Sequence, residues 1–335
     1  MPSAVLPFTD DSRFTLRRGE TQRADFADDV RRGLTAAHKA LPPRWFYDAL
    51  GSALFEAICQ LPEYYVTRAE TDVLSSHAAE IARAFGPSVR IAELGSGSAR
   101  KTRILLDAVT QRQPELEYLP IDVDAGMLEA SGHALIAEYP SLRVSAICAD
   151  FGRPSVALRD ALTRDRRNVV LFLGSSIGNL DPLASAAMLR DLRGVLAPGD
   201  ALFLGADLRK SKEILEPAYD DPLGVTAAFN LNVLSRINRE LGGQFDLRAF
   251  AHRAFYDEEH GRIEMHLVSL RDQLVAIDAL ELEVHFAESE TIHTENSYKY
   301  DRATLAHLAE ETGFTVEQTW TDRHDFFVDA LLSAR

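Results

Sequence analysis

The sequence predicts an α/β fold, a doubly wound and mostly parallel sheet interrupted by an inserted α+β region. Between about residues 88 and 208, short apolar runs alternate with amphipathic helical stretches, the pattern of stacked βαβ units. Acidic residues and glycines gather just after the apolar runs, where sheets of this kind bind ligands. Beyond residue 208 the pattern becomes the alternation of antiparallel strands, and it returns to a helix at 301–313.

The run VRIAEL at 89–94 reads as the first buried strand, and 101–109 as a helix with Ile104, Leu105 and Ala108 on one face. Between them lie Gly95, Ser96, Gly97 and Ser98. Glycine there admits unusual dihedrals and close ligand approach, and a helix N-terminus aims amide hydrogens at what is bound. A phosphate-cradling loop needs glycine immediately before Lys101-Thr102, and a dinucleotide fingerprint needs its third glycine at that same place; Arg100 stands there and argues against both. What remains, acidic-x-Gly-x-Gly from Glu93 to Gly97, resembles the first motif of class I S-adenosylmethionine-dependent methyltransferases.

A second strand at 116–121 ends in Asp122-Val123-Asp124, ahead of a helix at 126–137. An acid at that strand end accepts both ribose hydroxyls of a nucleoside; Asp122 is the first choice and Asp124 the second, which also suits a helix N-cap. The third strand, 142–147, ends near Asp150-Phe151, a carboxylate and an aromatic ring placed to address an adenine. The fourth, NVVLFL at 168–173, is apolar enough to be central and leads through Gly174 to Leu180 into a helix at 182–196; 201–208 is the fifth. Residues 211–239 read as a helix in two pieces broken near Asp220-Asp221-Pro222, 247–297 as antiparallel strands, and 314–332 as two closing strands. The economical division is a cofactor-binding unit of 69–208 with 300–335 and a substrate-binding unit of 20–68 with 209–299, residues 1–19 being expected to be poorly ordered.

Composition bounds the function. At 335 residues, 46% hydrophobic and 26% charged, the chain is an ordinary globular protein of about two domains. A net charge of −15 without a basic stripe argues against nucleic acid, and no apolar run reaches membrane-spanning length. Cys59 and Cys148 are far apart and lack metal-ligand spacing, which suits core thiols in a reducing, cytoplasmic compartment. No metal site is expected: Asp322-Arg323-His324-Asp325 reads as a polar turn, and the ten histidines are scattered.

Longer segments carry a more specific resemblance: KALPPRWFYDALGSALFEAICQLPEYYVTR, ELGSGSARKT, IDVDAGML, FLGSSIGNL, AYDDPLGVTAAFNLNVLSRINREL, IEMHL and IHTENSYKY. Over nearly its whole length the chain resembles the histidine Nα-methyltransferases of ergothioneine biosynthesis. The resemblance implies a class I methyltransferase sheet, S-adenosylmethionine as cofactor, and trimethylation of L-histidine to hercynine; a monomer is the default expectation. It implies that Tyr64 and Asn179 address the substrate's amino and carboxylate groups, with Tyr219 and Gly174 in the same recognition. Glu295 and Ser297 read the imidazole, Tyr47 and Phe55 line the pocket, and Met265 sits near the ring. Glu93, Gly95, Gly97, Lys101, Asp122, Asp150 and Phe151 belong to the cofactor side, Lys101 as partner of the methionyl carboxylate.

The chemistry agrees with these roles. Methyl transfer needs a neutral amine aligned with the sulfonium methyl, so positioning is the main task. A carboxylate holding one ring N–H while a hydroxyl satisfies the other nitrogen rejects amino acids lacking those nitrogens. Read from local sequence alone, Glu295 is a solvated strand-end residue, and Tyr47, Phe55 and Met265 suit a core equally well. Asn296 and His293 depart from the pattern of some members, which leaves a tryptophan-derived amine as the closest alternative substrate and a cofactor-binding module without turnover as the alternative of another class.

Overall fold

The computed structural model describes residues 12–18, 26–150 and 152–335. The chain opens with β1 (Phe14–Arg18), α1 (Phe26–Thr35), a 3-10 turn at Pro43–Phe46, α2 (Ala49–Ile58) and α3 (Val66–Phe85). The alternating part follows as β2 (Val89–Leu94), α4 (Thr102–Thr110), β3 (Leu116–Asp122), α5 (Ala125–Glu138), β4 (Leu142–Cys148), α6 (Pro154–Leu158), β5 (Arg167–Phe172), α7 (Pro182–Arg193) and β6 (Ala201–Asp207). Then come α8 (Lys212–Leu215), α9 (Val225–Leu241), β7 (Phe250–Asp257), β8 (Arg262–Ser269), β9 (Gln273–Ile277), β10 (Leu282–Phe286) and β11 (Thr291–Tyr298). The chain closes with α10 (Arg302–Glu311), β12 (Phe314–Thr321) and β13 (Phe327–Ala334).

One eight-stranded sheet runs in the order β1-β4-β3-β2-β5-β6-β13-β12, parallel from β1 to β6, with β13 antiparallel to β6 and β12 to β13. All residues of β2 and β6 are buried, which explains apolar runs without alternation. Strand order reverses between β2 and β5, and the loops leaving those strands, at Gly95 and Gly174, bound the crevice where such sheets bind ligands. Polar caps fix where the helices begin: Asp124 accepts from the Met127 amide at 3.0 Å, and Asp221 from those of Val225 and Thr226 at 3.0 and 2.7 Å. Asp322 accepts three turn amides between β12 and β13, as the polar-turn reading of that cluster requires.

The remaining elements form a second layer. A three-stranded antiparallel sheet, β11-β8-β7, and the β9-β10 hairpin share one buried core with α9 and with Phe26, Phe46 and Tyr64 from the N-terminal segment. Cys59 and Cys148 are unbonded thiols, Cys148 buried and Cys59 half-buried. Among the described residues no helix is long and apolar enough to cross a membrane.

One expectation needs correction. Residues 12–18 fall in the stretch expected to be poorly ordered, yet Phe14–Arg18 pairs in parallel with β4. The cause is a fitted contact: Gly132 of α5 lies where a Cβ would come within 2.2 Å of the Phe14 ring, and Arg13 donates to the Ile136 and Pro140 carbonyls. Residues 1–11 and 19 lie outside the described residues. Alanine at 132 favours the helix by about 1 kcal/mol but fills the seat of Phe14. Gly132→Ala is therefore expected to lower hydrogen-exchange protection of the β1 amides about tenfold while leaving β2 and β5 protected; unchanged β1 protection would remove this contact as the latch.

Candidate active site

The cofactor side is built from the loop after β2. Gly95 and Ser96 both donate their amides to the Ile121 carbonyl, at 2.8 and 3.2 Å, which folds the loop over the end of β3. Gly95 and Gly97 hold φ of +69° and +48°, a region side chains rarely adopt. The Gly97 amide donates to the Asp122 carboxylate at 2.9 Å, and the same carboxylate accepts from the Asp124 amide at 3.1 Å. Burial raises the Asp122 pKa from its ordinary value. A carboxylate has about four lone-pair sites, so two remain for a ligand.

Two features fit the loop to a bound nucleoside. Among the described residues the Ser96 hydroxyl oxygen is buried without a hydrogen-bond partner, and a Cβ built on Gly97 meets nothing within 4 Å. Glu93 differs from the expected direct contact. Its carboxylate points inward, accepting from Thr102 Oγ1 at 2.7 Å and from the Tyr118 hydroxyl, and burial pushes it up to about 7. It clamps the first residue of α4 under the loop. Asp150 is exposed, accepts from the Gly152 amide at 2.8 Å and lies 3.9 Å from Arg44. Phe151 lies outside the described residues.

Lys101 faces a partner the sequence did not announce. Its ammonium pairs with Glu70 of α3, whose other oxygen accepts the Gly174 amide at 2.7 Å. Gly174, at φ +78°, leaves room beside this pair, since a Cβ there would lie 3.3 Å from Lys101 Nζ. Asp329 is buried nearby without a hydrogen-bond partner among the described residues, and burial, then the charge of Glu70, raises its pKa well above normal. Gly205 makes space for both carboxyl groups, as a Cβ there would meet Glu70 at 2.4 Å and Asp329 at 3.0 Å.

The substrate side depends on one irregularity in β11. Ile263, Met265 and Leu267 of β8 alternate inward, and their partners on β11 would normally do the same. A bulge between His293 and Glu295 inserts an extra residue, Thr294, whose hydroxyl donates to the Met265 carbonyl at 3.0 Å. Inward alternation therefore moves from Ile292 to Glu295, Ser297 and Lys299, which are 7%, 4% and 3% exposed. Glu295 sits opposite Met265, accepts no hydrogen bond from a described residue, and is pushed up to about 7 by burial, Lys299 pulling the other way.

Aromatic rings surround this carboxylate. Tyr47, Phe55, Tyr64 and Tyr219 form a chain of edge contacts with centroids 5.6 to 6.2 Å apart. Burial, and then in part the charge of Glu295, pushes the Tyr47 and Tyr64 hydroxyls well upward. Asn179 arrives from the loop after β5 because Gly178 lets that loop touch β11: a Cβ on Gly178 would stand 2.7 Å from the Tyr298 carbonyl. Asn179 and Glu295 consequently line the same cleft of about 280 Å³, together with Pro42, His293 and Asn296. The Tyr219 hydroxyl, expected beside the substrate's amino and carboxylate groups, lies 2.8 Å from Ser297 Oγ.

Lys299, Asp207, Glu70, Asp329 and Phe229 were not found from the sequence. Phe229 of α9 packs against both Tyr47 and Phe55. Lys299 had a signal, being two residues beyond Ser297 in an alternating run. His293 and Asn296 bond each other at 3.0 Å on the opposite face of β11. There Glu264, His266 and His293 bring one ligand atom each within 4.8 Å of the others, a grouping that scattered histidines did not suggest; Glu264 already pairs with Arg262 and His266.

The sequence profile of the family described as "Histidine-specific methyltransferase, SAM-dependent" matches residues 26–334. The chain is 47% identical over 294 residues to the histidine N-alpha-methyltransferase of Mycolicibacterium smegmatis, covering 88% of this chain and 90% of that protein. It is 45% identical to the protein of the same name from Mycobacterium tuberculosis, with the same two coverages. Ergothioneine biosynthesis protein 1 of Neurospora crassa is 29% identical over 89% of this chain, which spans 33% of that longer protein. The chain belongs to the S-adenosylmethionine-dependent, histidine-specific methyltransferases.

Proposed function

We propose that the protein transfers methyl groups from S-adenosylmethionine to the α-amine of L-histidine, three in succession, to give hercynine in the first step of ergothioneine biosynthesis. The observation that carries this reading is Glu295, a buried carboxylate with no hydrogen bond among the described residues, sharing a face with the Ser297 hydroxyl. An imidazole offers such a pair one N–H and one lone pair, whereas an indole offers no ring acceptor to the hydroxyl.

S-adenosylmethionine supplies an electrophilic methyl on a sulfonium. Asp122 would take the ribose hydroxyls, the loop from Gly95 to Gly97 with Ser96 would enclose the nucleoside, and Asp150 with Phe151 would address the adenine. Lys101 has three donors and uses one on Glu70, so it can also hold the methionyl carboxylate. On the substrate, Asn179 and Tyr64 orient the amine. Gly174, whose amide is committed to Glu70, contributes the space beside Lys101. The Tyr64 hydroxyl stays protonated at neutral pH, so it directs the amine rather than removing its proton. The trimethylated product carries a fixed positive charge, which the faces of Tyr47, Phe55 and Tyr64 attract.

The division into a cofactor-binding unit of 69–208 with 300–335 and a substrate-binding unit of 20–68 with 209–299 belongs to the same proposal. So do a monomeric state and a cytoplasmic location, the latter in keeping with two unbonded thiols.

Mass spectrometry of reactions with each standard amino acid is expected to give a trimethylated product from histidine alone, with every methyl on the α-nitrogen; methylated tryptophan instead would overturn the roles of Glu295 and Ser297. Removing the ring acceptor should separate the two halves of the site. Glu295→Ala is expected to lower kcat/KM for histidine at least ~100-fold while the S-adenosylmethionine Kd stays within about twofold. Equal loss of both would exclude Glu295 from ring recognition.

Glu295 also makes stability depend on pH. Its carboxyl titrates near 7 in the folded protein against 4.5 ordinarily, so between those values the folded state holds more protons and stability falls as pH rises. Glu295→Gln is therefore expected to raise the Tm of the ligand-free protein at pH 8, by an amount equivalent to at most about 3 kcal/mol, and to give no such gain below pH ~4.5. Equal Tm changes at both pH values would show that the carboxylate is not desolvated.

A further inference from the structure

Behind Ser297 lies a buried cation. Lys299 is 3% exposed, and its ammonium donates to Asp207 at 2.9 Å, to the Tyr219 hydroxyl at 2.8 Å and to Ser297 Oγ at 2.8 Å. An ammonium has three hydrogens and no lone pair, so all three are committed and each hydroxyl must accept from it. The two hydroxyls are also 2.8 Å from each other. A phenol is a stronger acid and a poorer acceptor than an alcohol, so Tyr219 donates within that pair. Ser297 then accepts from Lys299 and from Tyr219, which uses both of its lone pairs, and its own hydrogen has to point elsewhere.

We infer that Lys299 is a positioning residue for substrate choice: by occupying the acceptor sites of the Tyr219–Ser297 pair it forces Ser297 to present a hydrogen to the substrate ring, so that the ring position facing Ser297 must be an unprotonated nitrogen. The inference rests on the proposed reading of Glu295 and Ser297 as the imidazole contacts. It adds a polarity to that reading. Glu295 accepts from one ring nitrogen and Ser297 donates to the other, so the site selects a neutral imidazole and opposes an imidazolium, whose second N–H would meet the serine hydrogen. Asp207 keeps the ammonium in place, itself held by Tyr65 at 2.7 Å and by Lys210 at 2.5 Å.

The test compares histidine with an alanine bearing a pyrrole ring, which keeps an N–H for Glu295 but has C–H in place of the acceptor nitrogen. The wild-type enzyme is expected to prefer histidine by at least ~10-fold in kcat/KM, the worth of a hydrogen bond from a fixed donor. In Ser297→Ala, and equally in Lys299→Met, that preference should shrink to within about threefold, with S-adenosylmethionine Kd changed less than about twofold; the double variant should lose no more than either alone. Where Lys299→Met does not fold, Lys299→Met with Asp207→Asn removes the stranded charge and carries the same comparison. If Ser297→Ala keeps the full preference, the imidazole reading itself fails. If Ser297→Ala loses it and the Lys299 variant keeps it, the imidazole reading stands and Lys299 is not the residue that sets the polarity of Ser297.

Discussion

The buried pair between Asp207 and Lys299 is the constraint on which the site depends. Asp207 ends β6, in the middle of the large sheet, and Lys299 is the first residue past β11, in the inserted layer; both side chains are fully buried. Burial alone raises the carboxyl, yet Lys299 and Lys210 together hold it below its ordinary pKa. Backbone bonds continue the join, with Tyr300 donating to the Asp207 carbonyl and Arg209 to the Tyr300 carbonyl. Breaking a buried pair by removing one partner costs several kcal/mol because the other charge is stranded, so the two layers keep one relative placement. That placement brings the strand carrying Glu295 and Ser297 against the loop carrying Asn179.

Given that join, two local departures from regularity aim the side chains. The bulge at Thr294 changes which residues of β11 face inward, and Gly178 allows the loop after β5 to reach the Tyr298 backbone. Were the strand regular, alternation from Ile292 would set Thr294 opposite Met265 and Asn296 opposite Ile263, turning Glu295 and Ser297 to the other face. Which side chains of β11 face inward thus rests on a register shift as much as on residue identity. The cofactor side is simpler, because a strand, a tight turn and a helix N-terminus place Gly95, Gly97 and Asp122 through contacts within one stretch of chain.

This difference explains what could be read from the sequence. The doubly wound sheet was legible because apolar runs, glycine turns and helix periods are local signals, and β2 came out at the residues expected. The place of Asp122 at the end of β3 was legible for the same reason. The orientation of Glu295 was not, since alternation counted along 291–298 gives the wrong face unless the bulge is known; only the resemblance of the surrounding segment pointed to it. Glu70 and Asp329 were hidden because their meaning arises from contacts with Lys101 across long stretches of chain. Phe14 was missed because an exposed-looking terminus is held by a vacant Cβ position on a helix far along the sequence.

The groups proposed to recognise ligands in this protein are also those least satisfied by it. Among the described residues Glu295 is desolvated without a hydrogen bond and the Ser96 hydroxyl is buried without a partner, while three positive φ values, at Gly95, Gly97 and Ala99, fall within one short loop. The two unpaired groups cost folding free energy that a regular packing would not, the kind of cost that a bound ligand offsets by supplying the missing partner. The rigid join at Asp207 matters in this light. Lys299 is the charge that pulls the Glu295 carboxyl back toward its ordinary pKa. Because three acceptors hold that ammonium, none of its hydrogens is left for Glu295, so the same salt bridge that fixes the layers also leaves that carboxylate open to the proposed imidazole contact.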